Sequence, residues 1–451
     1  MSESLDLAQT VLANARKTEH VEVFVQDASH TSIDVFGGET ESLTSARTRG
    51  VGVRLISNGQ MGYAYTAELS GESLRDVVEE ARHNATASSP DDANVLPGPS
   101  RQENEVNVFD ADAASVPVER KVEIALELEA AILKGSDQIR TLRNCSYRDR
   151  LAHFALASTS GIAAAWSQSN CSCFATAVAG EGQDSQTGFG LSNARHANRL
   201  DIDHTARTAV ARSTRLVGAK KISTTKLPAV FDPQAAVALL GVLGIAASAE
   251  AVIKGRSLFA GKIGQRIGSD IVTIVDDGRV TDGLRTAPYD AEGVPTTRTL
   301  VVENGFLRSY LFDSRSGERM GASSTGNASR PSFKTPPGVA PSNFVLAPGQ
   351  KSQEELITGI DNGFYVQELI GVHSGVNPVS GSFSVGATGL MISKGTFGQP
   401  VREVTIASTV FDLLSGVVEI GSDFTLVPGF LVEGAYGSPS LVIGEIAVAG
   451  T

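Results

Sequence analysis

The chain has 451 residues, of which 41% are hydrophobic and 20% charged, a globular composition long enough for two or three hydrophobic cores. A formal net charge of −12, without a lysine or arginine cluster, argues against direct binding of nucleic acid, whose phosphates attract clustered cations. With three cysteines, no signal-peptide pattern and no apolar run of the roughly 20 residues that a membrane span needs, we predict a cytoplasmic protein with no membrane contact.

The first half of the chain alternates between helical and strand-like patterns. The pair Asn58-Gly59 tolerates positive φ and predicts a type I′ hairpin turn, while residues 86–104 form a polar loop. We predict helices over residues 5–15, 70–85, 118–135 and 201–218, and strands over residues 20–27, 30–37, 50–67 and 139–182. These elements predict an α+β N-terminal domain with two β-sheets, each covered by helices.

The second half is rich in short strand-like runs. Asp232-Pro233 predicts a helix start, because aspartate caps the first turn and proline suits the first helical position. That helix contains LGVLGIAASAEAVIK, residues 240–254. Strands are predicted over residues 227–231, 270–277, 297–313, 343–349, 363–369, 381–395, 402–408, 424–429 and 440–450. We therefore predict a β-rich C-terminal domain, barrel-like or sandwich-like with one long helix, over residues 223–451, after an N-terminal domain over residues 1–222.

Several long segments in both halves resemble the TldD/PmbA family, the modulator-of-gyrase proteins. The segments are GRSLFAGKIGQRIGSDIVTIVDDG (255–278), PYDAEGVPTTRTLVVENGFLRSYLFDSRSGERMG (288–321), TGNASR (325–330), HSGVNPVSGSFSVGATGLMISKG (373–395), GSPSLVIGEIAVAG (437–450) and TRGVGVRLISNGQMGYAY (48–65). The resemblance implies a two-domain protein that pairs into a dimer around an internal cavity. It also implies one of two branches: a TldD-like zinc peptidase with a His-Glu-x-x-x-His helix and a distant cysteine ligand, or a PmbA/TldE-like partner without these ligands.

The positions of the family's zinc motif carry no metal-binding side chains in this sequence. Counting back without gaps from Gly255, the first residue of the Gly-x-Ser-x-Phe motif, places the two histidines and the glutamate at Leu240, Ile245 and Gly241. Leucine, glycine and isoleucine side chains offer neither a lone pair to a metal nor a proton to a substrate. No cysteine follows Cys173, so the third ligand is also missing. We predict no metal site in this chain.

Other metal-binding or catalytic groupings have simpler interpretations. Cys171 and Cys173 alternate on a predicted strand without a histidine pair nearby, and are best explained as small strand residues. A second grouping lies at a predicted helix start, where carboxylates usually cap the helix: His196, Asp201, Asp203 and His204. The acidic set comprises Asp276, Asp277, Asp290 and Glu292. These carboxylates offer acid–base chemistry, but the Asp-Asp-Gly and Asp-Ala-Glu-Gly contexts favour turns.

Two polar loops are candidates for the wall of the internal cavity. They contain Asn327 and Arg330 in one loop, and His373 and Asn377 in the other. In a cavity these side chains would hydrogen-bond an extended peptide beside an open sheet edge; otherwise they are ordinary solvated loop residues.

The family resemblance and the missing zinc ligands together predict the metal-free, non-catalytic subunit of a TldD/TldE-type heterodimeric zinc peptidase that acts on unfolded or leader-bearing peptides. The resemblance implies that zinc belongs to the TldD-like partner; the sequence leaves open whether the chain forms a homodimer when alone. Two alternatives remain at this stage: an autonomous hydrolase that uses a site without zinc, such as the acidic set, and a binding protein that modulates another enzyme. The sequence does not name the peptide.

Overall fold

The first half of the chain forms one six-stranded antiparallel sheet. The computed structural model describes residues 2–100, 106–429 and 433–450, so residues 101–105 of the predicted 86–104 loop lie outside the described residues. The strands are β1 His20–Phe36, β2 Glu39–Ser57, β3 Gln60–Thr66, β4 Ile139–Ser158, β5 Ala163–Ala179 and β6 Gln186–Ala194. Their spatial order is β3-β2-β1-β4-β5-β6.

The prediction of two separate N-terminal sheets is wrong, because β1 continues through the polar residues 27–30 where a break was expected. Asp27 lies opposite Arg49 on β2 and His153 on β4, so the strand is paired on both sides across this region. Arg47 binds the Asp27 carboxylate with N–O distances of 2.8 and 2.6 Å, which satisfies the polar group without a turn. The Asn58-Gly59 hairpin is confirmed, with φ of 53° and 76°.

Helices cover one face of this sheet, and the other face meets the second half of the chain. Side chains on a strand alternate between the two faces, so Phe154 on β4 and Trp166 on β5 point away from the helices. They form a separate cluster with Phe333 from the second half. The helices are α1 Ser2–Leu12, α2 Gly71–Thr86, α3 Val118–Lys134 and α4 Ile202–Thr214.

The second half contains a closed barrel and a second six-stranded sheet. Its strands are β7 Thr225–Phe231, β8 Ile274–Asp277, β9 Arg298–Glu303, β10 Phe306–Leu307, β11 Ala328–Ser329, β12 Gly338–Val339, β13 Asn343–Leu346, β14 Asn362–Ile370, β15 Ser382–Ser393, β16 Thr396–Thr409, β17 Val417–Ile420, β18 Thr425–Pro428, β19 Ala435–Ser438 and β20 Leu441–Ala449. One sheet has the order β16-β15-β14-β7-β20-β17, and an additional β16–β20 pairing closes it. The other has the order β10-β9-β8-β13-β19-β18. The predicted α+β class with a barrel-like C-terminal region is confirmed.

A single apolar helix lies between the barrel and the second sheet. The helices of this half are α5 Pro233–Ala247, α6 Ala249–Ile253, α7 Ser314–Met320, α8 Gln353–Thr358, α9 Val372–Gly375 and α10 Val410–Ser415. Most of α5 is buried, and it packs against strands of both sheets. The predicted long helix is interrupted at Ser248, where Ala249 N–H donates to Leu311 C=O and Leu311 N–H donates to Ala247 C=O. No helix within the described ranges is long and apolar enough to cross a membrane.

Candidate functional site

Helix α5, which contains the three residues that the sequence count assigned to the zinc motif, is fixed at its first turn by a buried carboxylate. Asp232 Oδ1 accepts a hydrogen bond from Gln234 N–H at 2.9 Å and forms an ion pair with Arg212 Nη1 at 2.7 Å. Tyr365 OH donates to the other oxygen of the same carboxylate. Because Arg212 belongs to α4 and Tyr365 to β14, this cap ties the helix to both halves of the protein.

The three motif positions on α5 present hydrocarbon only. Leu240 is 3% exposed, Gly241 is buried and Ile245 is half-buried. The loop after the helix folds back onto the end of α5, since Ser257 Oγ donates to Ala246 C=O at 2.6 Å and Phe259 is buried. These side chains provide no atom that binds zinc, so the residues present do not fit the metal that the family's peptidase branch uses.

The other groupings considered as metal sites have structural partners. In the described part of the chain no group of three or more histidine, cysteine, aspartate or glutamate residues is arranged to hold a metal ion. Cys171 and Cys173 are buried, and burial raises the pKa of their thiols to about 12 and about 11, which keeps both protonated. Asp201 caps α4 by accepting from His204 N–H at 2.8 Å, and His196 Nδ1 accepts from Asn198 N–H.

A cavity of about 430 Å³ lies between the face of the N-terminal sheet that helices do not cover and loops of the second half. Its wall includes Asn327 and Arg330, two of the four residues proposed from the sequence. His373 and Asn377 do not line it. They are exposed, and Asn377 Oδ1 accepts from the N–H groups of Val379 and Ser380 to form a local turn.

Asn327 and Arg330 shape the wall rather than presenting free donors. Asn327 is 2% exposed, and its Nδ2 donates to Asp276 Oδ2 at 2.6 Å. Arg330 forms an ion pair with Glu22 and lies over the ring of Phe24, with 4.9 Å between its guanidinium carbon and the ring centroid. Both side chains are thus committed to contacts within the protein.

The acidic set divides into turn formers and a partner of a buried arginine. Asp290 accepts from three backbone N–H groups, those of Glu292, Val294 and Ala328, as its turn context predicted. Burial, together with the nearby Glu292 carboxylate, raises the Asp290 pKa. Burial also raises the pKa of Asp276 to about 7, against the opposing hydrogen bond from Asn327. Neither Asp276 nor Asp290 has the exposure that a substrate-facing base requires.

A chain of four buried charges joins the two halves beside the cavity. Arg330 pairs with Glu22, Glu22 Oε2 lies 2.6 Å from Arg54 Nη2, and Arg54 Nη1 lies 2.8 Å from Glu292 Oε1. Sequence reasoning missed Glu22 and Arg54. The available signal was Arg54 itself, a cation inside the apolar strand segment VGVRLI, since a buried charge requires a partner.

Family models cover most of the chain. The PmbA/TldA metallopeptidase C-terminal domain matches residues 224–450, domain 1 matches residues 21–85 and the central domain matches residues 111–217. A metalloprotease from Methanothermobacter thermautotrophicus is 29% identical over 449 residues, which is 96% of each chain. The metalloprotease PmbA of Escherichia coli O157:H7 is 26% identical over 414 residues, covering 90% of this chain and 88% of its own length.

Solved structures have the same fold. A Thermotoga maritima protein, described as a proposed modulator of a DNA gyrase, superposes with a TM-score of 0.89 at 26% identity and covers 98% of this chain and 99% of its own. TldE from Thermococcus kodakarensis superposes with the same TM-score at 22% identity, covering 99% of each chain, and at that identity it bears on the fold alone.

Proposed function

Because the chain belongs to the PmbA/TldD metallopeptidase family, we propose that it is the metal-free subunit of a heterodimeric zinc peptidase of the TldD/TldE type. The observation that carries this proposal is the chemistry of α5, where Leu240, Gly241 and Ile245 occupy the ligand and base positions. Hydrolysis at zinc needs three protein ligands and an open position for water. In the proposed complex those ligands come from the TldD-like subunit, which acts on unfolded or leader-bearing peptides.

This chain contributes a rigid wall to the proposed peptide chamber. The Asp232 cap holds α5 against both halves, and the buried charges from Arg330 to Glu292 hold the N-terminal sheet against the loops of the second half. A fixed wall limits the chamber to extended or unfolded chains, because a folded domain does not fit between fixed elements. Its contribution to peptidase activity is therefore expected through assembly and access, rather than through a reacting group.

The test compares three preparations: this chain, a TldD-like subunit from the same source, and the mixture. We expect zinc only in the TldD-like subunit, and hydrolysis of an unfolded peptide that is strongest in the mixture and lost with a chelator. Ile245→Val in this chain is a matched control that keeps an aliphatic side chain at a motif position, and the mixture should retain its rate. One tightly bound zinc per copy of this chain, with chelator-sensitive cleavage by the chain alone, would refute the proposal.

A second candidate function, an autonomous hydrolase, draws support from the raised pKa of Asp276, which suits a general base near neutral pH. The burial of that carboxylate under Asn327 opposes it. Peptide cleavage by the chain alone that survives a chelator and disappears in Asp276→Asn would favour this candidate. Co-purification with a partner that lacks peptidase motifs would instead favour the role of a modulator of another enzyme.

A further inference from the structure

One wall of the cavity between the two halves is a row of four aromatic rings. The ring centroids of Phe24 and Phe154 are 5.8 Å apart, those of Phe154 and Trp166 are 5.3 Å apart, and those of Trp166 and Tyr289 are 5.9 Å apart. All four residues line the cavity. The row therefore offers a continuous apolar surface that suits the side chain of a bound ligand.

Arg150 lies on this wall without a partner for its charge. Its guanidinium carbon is 5.7 Å from the centroid of the Phe154 ring. Within the described ranges its side chain makes no hydrogen bond and no ion pair. Two other arginines that line the cavity differ, because Arg148 pairs with Asp34 at 2.7 Å and Arg330 pairs with Glu22. This half-buried guanidinium therefore has five N–H donors that a ligand in the cavity can use.

The charges around Arg150 leave the cavity positive, although the chain as a whole is acidic. Burial lowers the Arg150 pKa, and the neighbouring Arg285 lowers it further against the attraction of Glu433. Glu433 accepts a hydrogen bond from Ser329 and lies 3.9 Å from Arg285, so that it offsets one of the two positive charges of Arg150 and Arg285. The Asp149 carboxylate is neutralised by Lys121 at 2.7 Å.

We propose that Arg150 and Arg285 form a carboxylate-binding site against the aromatic wall, and that its ligand is a short peptide. A guanidinium matches a carboxylate in a two-point hydrogen-bonded pair, and the adjacent rings accept an apolar or aromatic side chain of the same peptide. A volume of about 430 Å³ lies within the range of small-ligand sites. The choice of a peptide rests on the proposed function, whereas the anion site itself does not.

The carboxylate comes from either a peptide C-terminus or an acidic side chain, and matched peptides distinguish the two sources. Trp166 is the only tryptophan of the chain, so its fluorescence reports directly on this wall. The full chain is titrated with acetyl-Ala-Ala-Phe as the free acid, with its C-terminal amide, and with acetyl-Ala-Glu-Phe amide; calorimetry follows the same titrations. We expect saturable binding of at least one of the two peptides that carry a carboxylate. The Ala-Ala-Phe amide, which has no carboxylate, should bind at least about tenfold more weakly than that peptide, because it loses one charged hydrogen bond.

Variants assign the binding to the two arginines. Arg150→Gln and Arg285→Gln should each weaken acid binding about tenfold or more, and Arg150→Lys should restore part of it because it keeps the charge. Arg140→Gln is the matched control, since Arg140 lies on the same strand as Arg150 and its removal takes one positive charge from an exposed ion pair with Glu181. Unfolding curves of all variants confirm that the fold is retained.

Three results would overturn the inference: equal binding of acid and amide, unchanged binding by Arg150→Gln, or no binding of either acid by fluorescence and calorimetry. Binding of inorganic phosphate alone, without either peptide acid, would also overturn the peptide assignment. These titrations use the isolated chain and measure binding. Their failure is therefore distinct from failure of the proposed complex, which is measured as hydrolysis by the mixture.

Discussion

Arg54→Met should loosen the two halves of the protein, because Arg54 is the centre of the buried charge chain. The side chains of Glu22 and Arg54 are 1% and 4% exposed, and Arg54 contacts Glu22 and Glu292 at 2.6 and 2.8 Å. Among the described residues, its removal leaves Glu292 with the Ser314 N–H group alone, which donates at 2.9 Å. Breaking a buried pair by removing one partner costs about 3–5 kcal/mol.

The assay is urea unfolding followed by two probes, because a chain of 451 residues in two halves need not unfold in one step. Trp166 fluorescence reports on the face between the halves, and far-ultraviolet circular dichroism reports on the whole chain. With a urea dependence of about 2–3 kcal/mol per molar, the Trp166 transition should move down by about 1–2 M. The matched control is Arg140→Met, which breaks a pair that is 48% and 76% exposed and should cost less than about 1 kcal/mol.

The same charge chain predicts a specific dependence on pH. Burial opposes ionisation of Glu22, but attraction to Arg330 and Arg54 outweighs it and lowers the Glu22 pKa below its ordinary value of 4.5. Its contribution is therefore present above pH 4.5 and is lost as the pH falls through the lower folded-state pKa. Glu22→Gln should lack this part of the acid destabilisation. An Arg54→Met protein with an unchanged Trp166 transition would refute the reasoning, since it would show that the buried pairs do not hold the halves together.

Three further substitutions, one of them with a matched control, test the packing of α5 and the buried acids. Asp232→Asn should lower the free energy of unfolding by about 3–5 kcal/mol, because it leaves the arginine from α4 without its anion; an unchanged urea midpoint would contradict this. Gly244→Ala should lower the free energy of unfolding by about 1–3 kcal/mol, because the added Cβ would lie 2.6 Å from Tyr436. The control Gly71→Ala adds a Cβ that meets no atom within 4 Å and should be neutral or stabilising, so equal melting temperatures of the two variants would disprove the packing argument. The free energy of unfolding should fall as the pH rises from about 4 to about 7, because in that range Asp276 is ionised in the unfolded chain and protonated in the folded one. Asp276→Asn should abolish this slope in a series of urea titrations at different pH values.

Local chemistry explains which elements the sequence predicted well. Asp232-Pro233 starts α5 because a cap acts within one helical turn, and Asn58-Gly59 makes its hairpin because the turn depends on those two residues. The end of α5 was missed because its interruption at Ser248 depends on hydrogen bonds with Leu311, more than 60 residues later. The continuity of β1 was missed because Asp27 resembles a turn residue until Arg47 of the neighbouring strand is seen beside it.

In the candidate site, too, local sequence predicts some features and long-range packing decides the others. The assignment of the zinc-motif positions to Leu240, Gly241 and Ile245 follows from the family resemblance and stays a prediction, whereas their place on one continuous helix was predicted locally. The cavity could not, since Arg150 and Tyr289 meet only when the sheet packs on the loops of the second half. Whether a charged residue is paired depends on such long-range contacts. Arg148 and Arg150 are two residues apart on one strand, yet only Arg148 has a carboxylate partner among the described residues.

Helix α5 and the cavity occupy different places on the sheet that contains β13 and β19. Helix α5 packs on β13 and β19, whereas the cavity is lined by Ser342 and Gly434, just before those two strands begin. No residue of α5 lines the cavity. On the proposed function, the hydrocarbon side chains of Leu240 and Ile245 therefore leave the cavity wall at the start of these strands unchanged. Under that proposal, zinc chemistry and peptide binding depend on different parts of the second half and are open to separate substitutions.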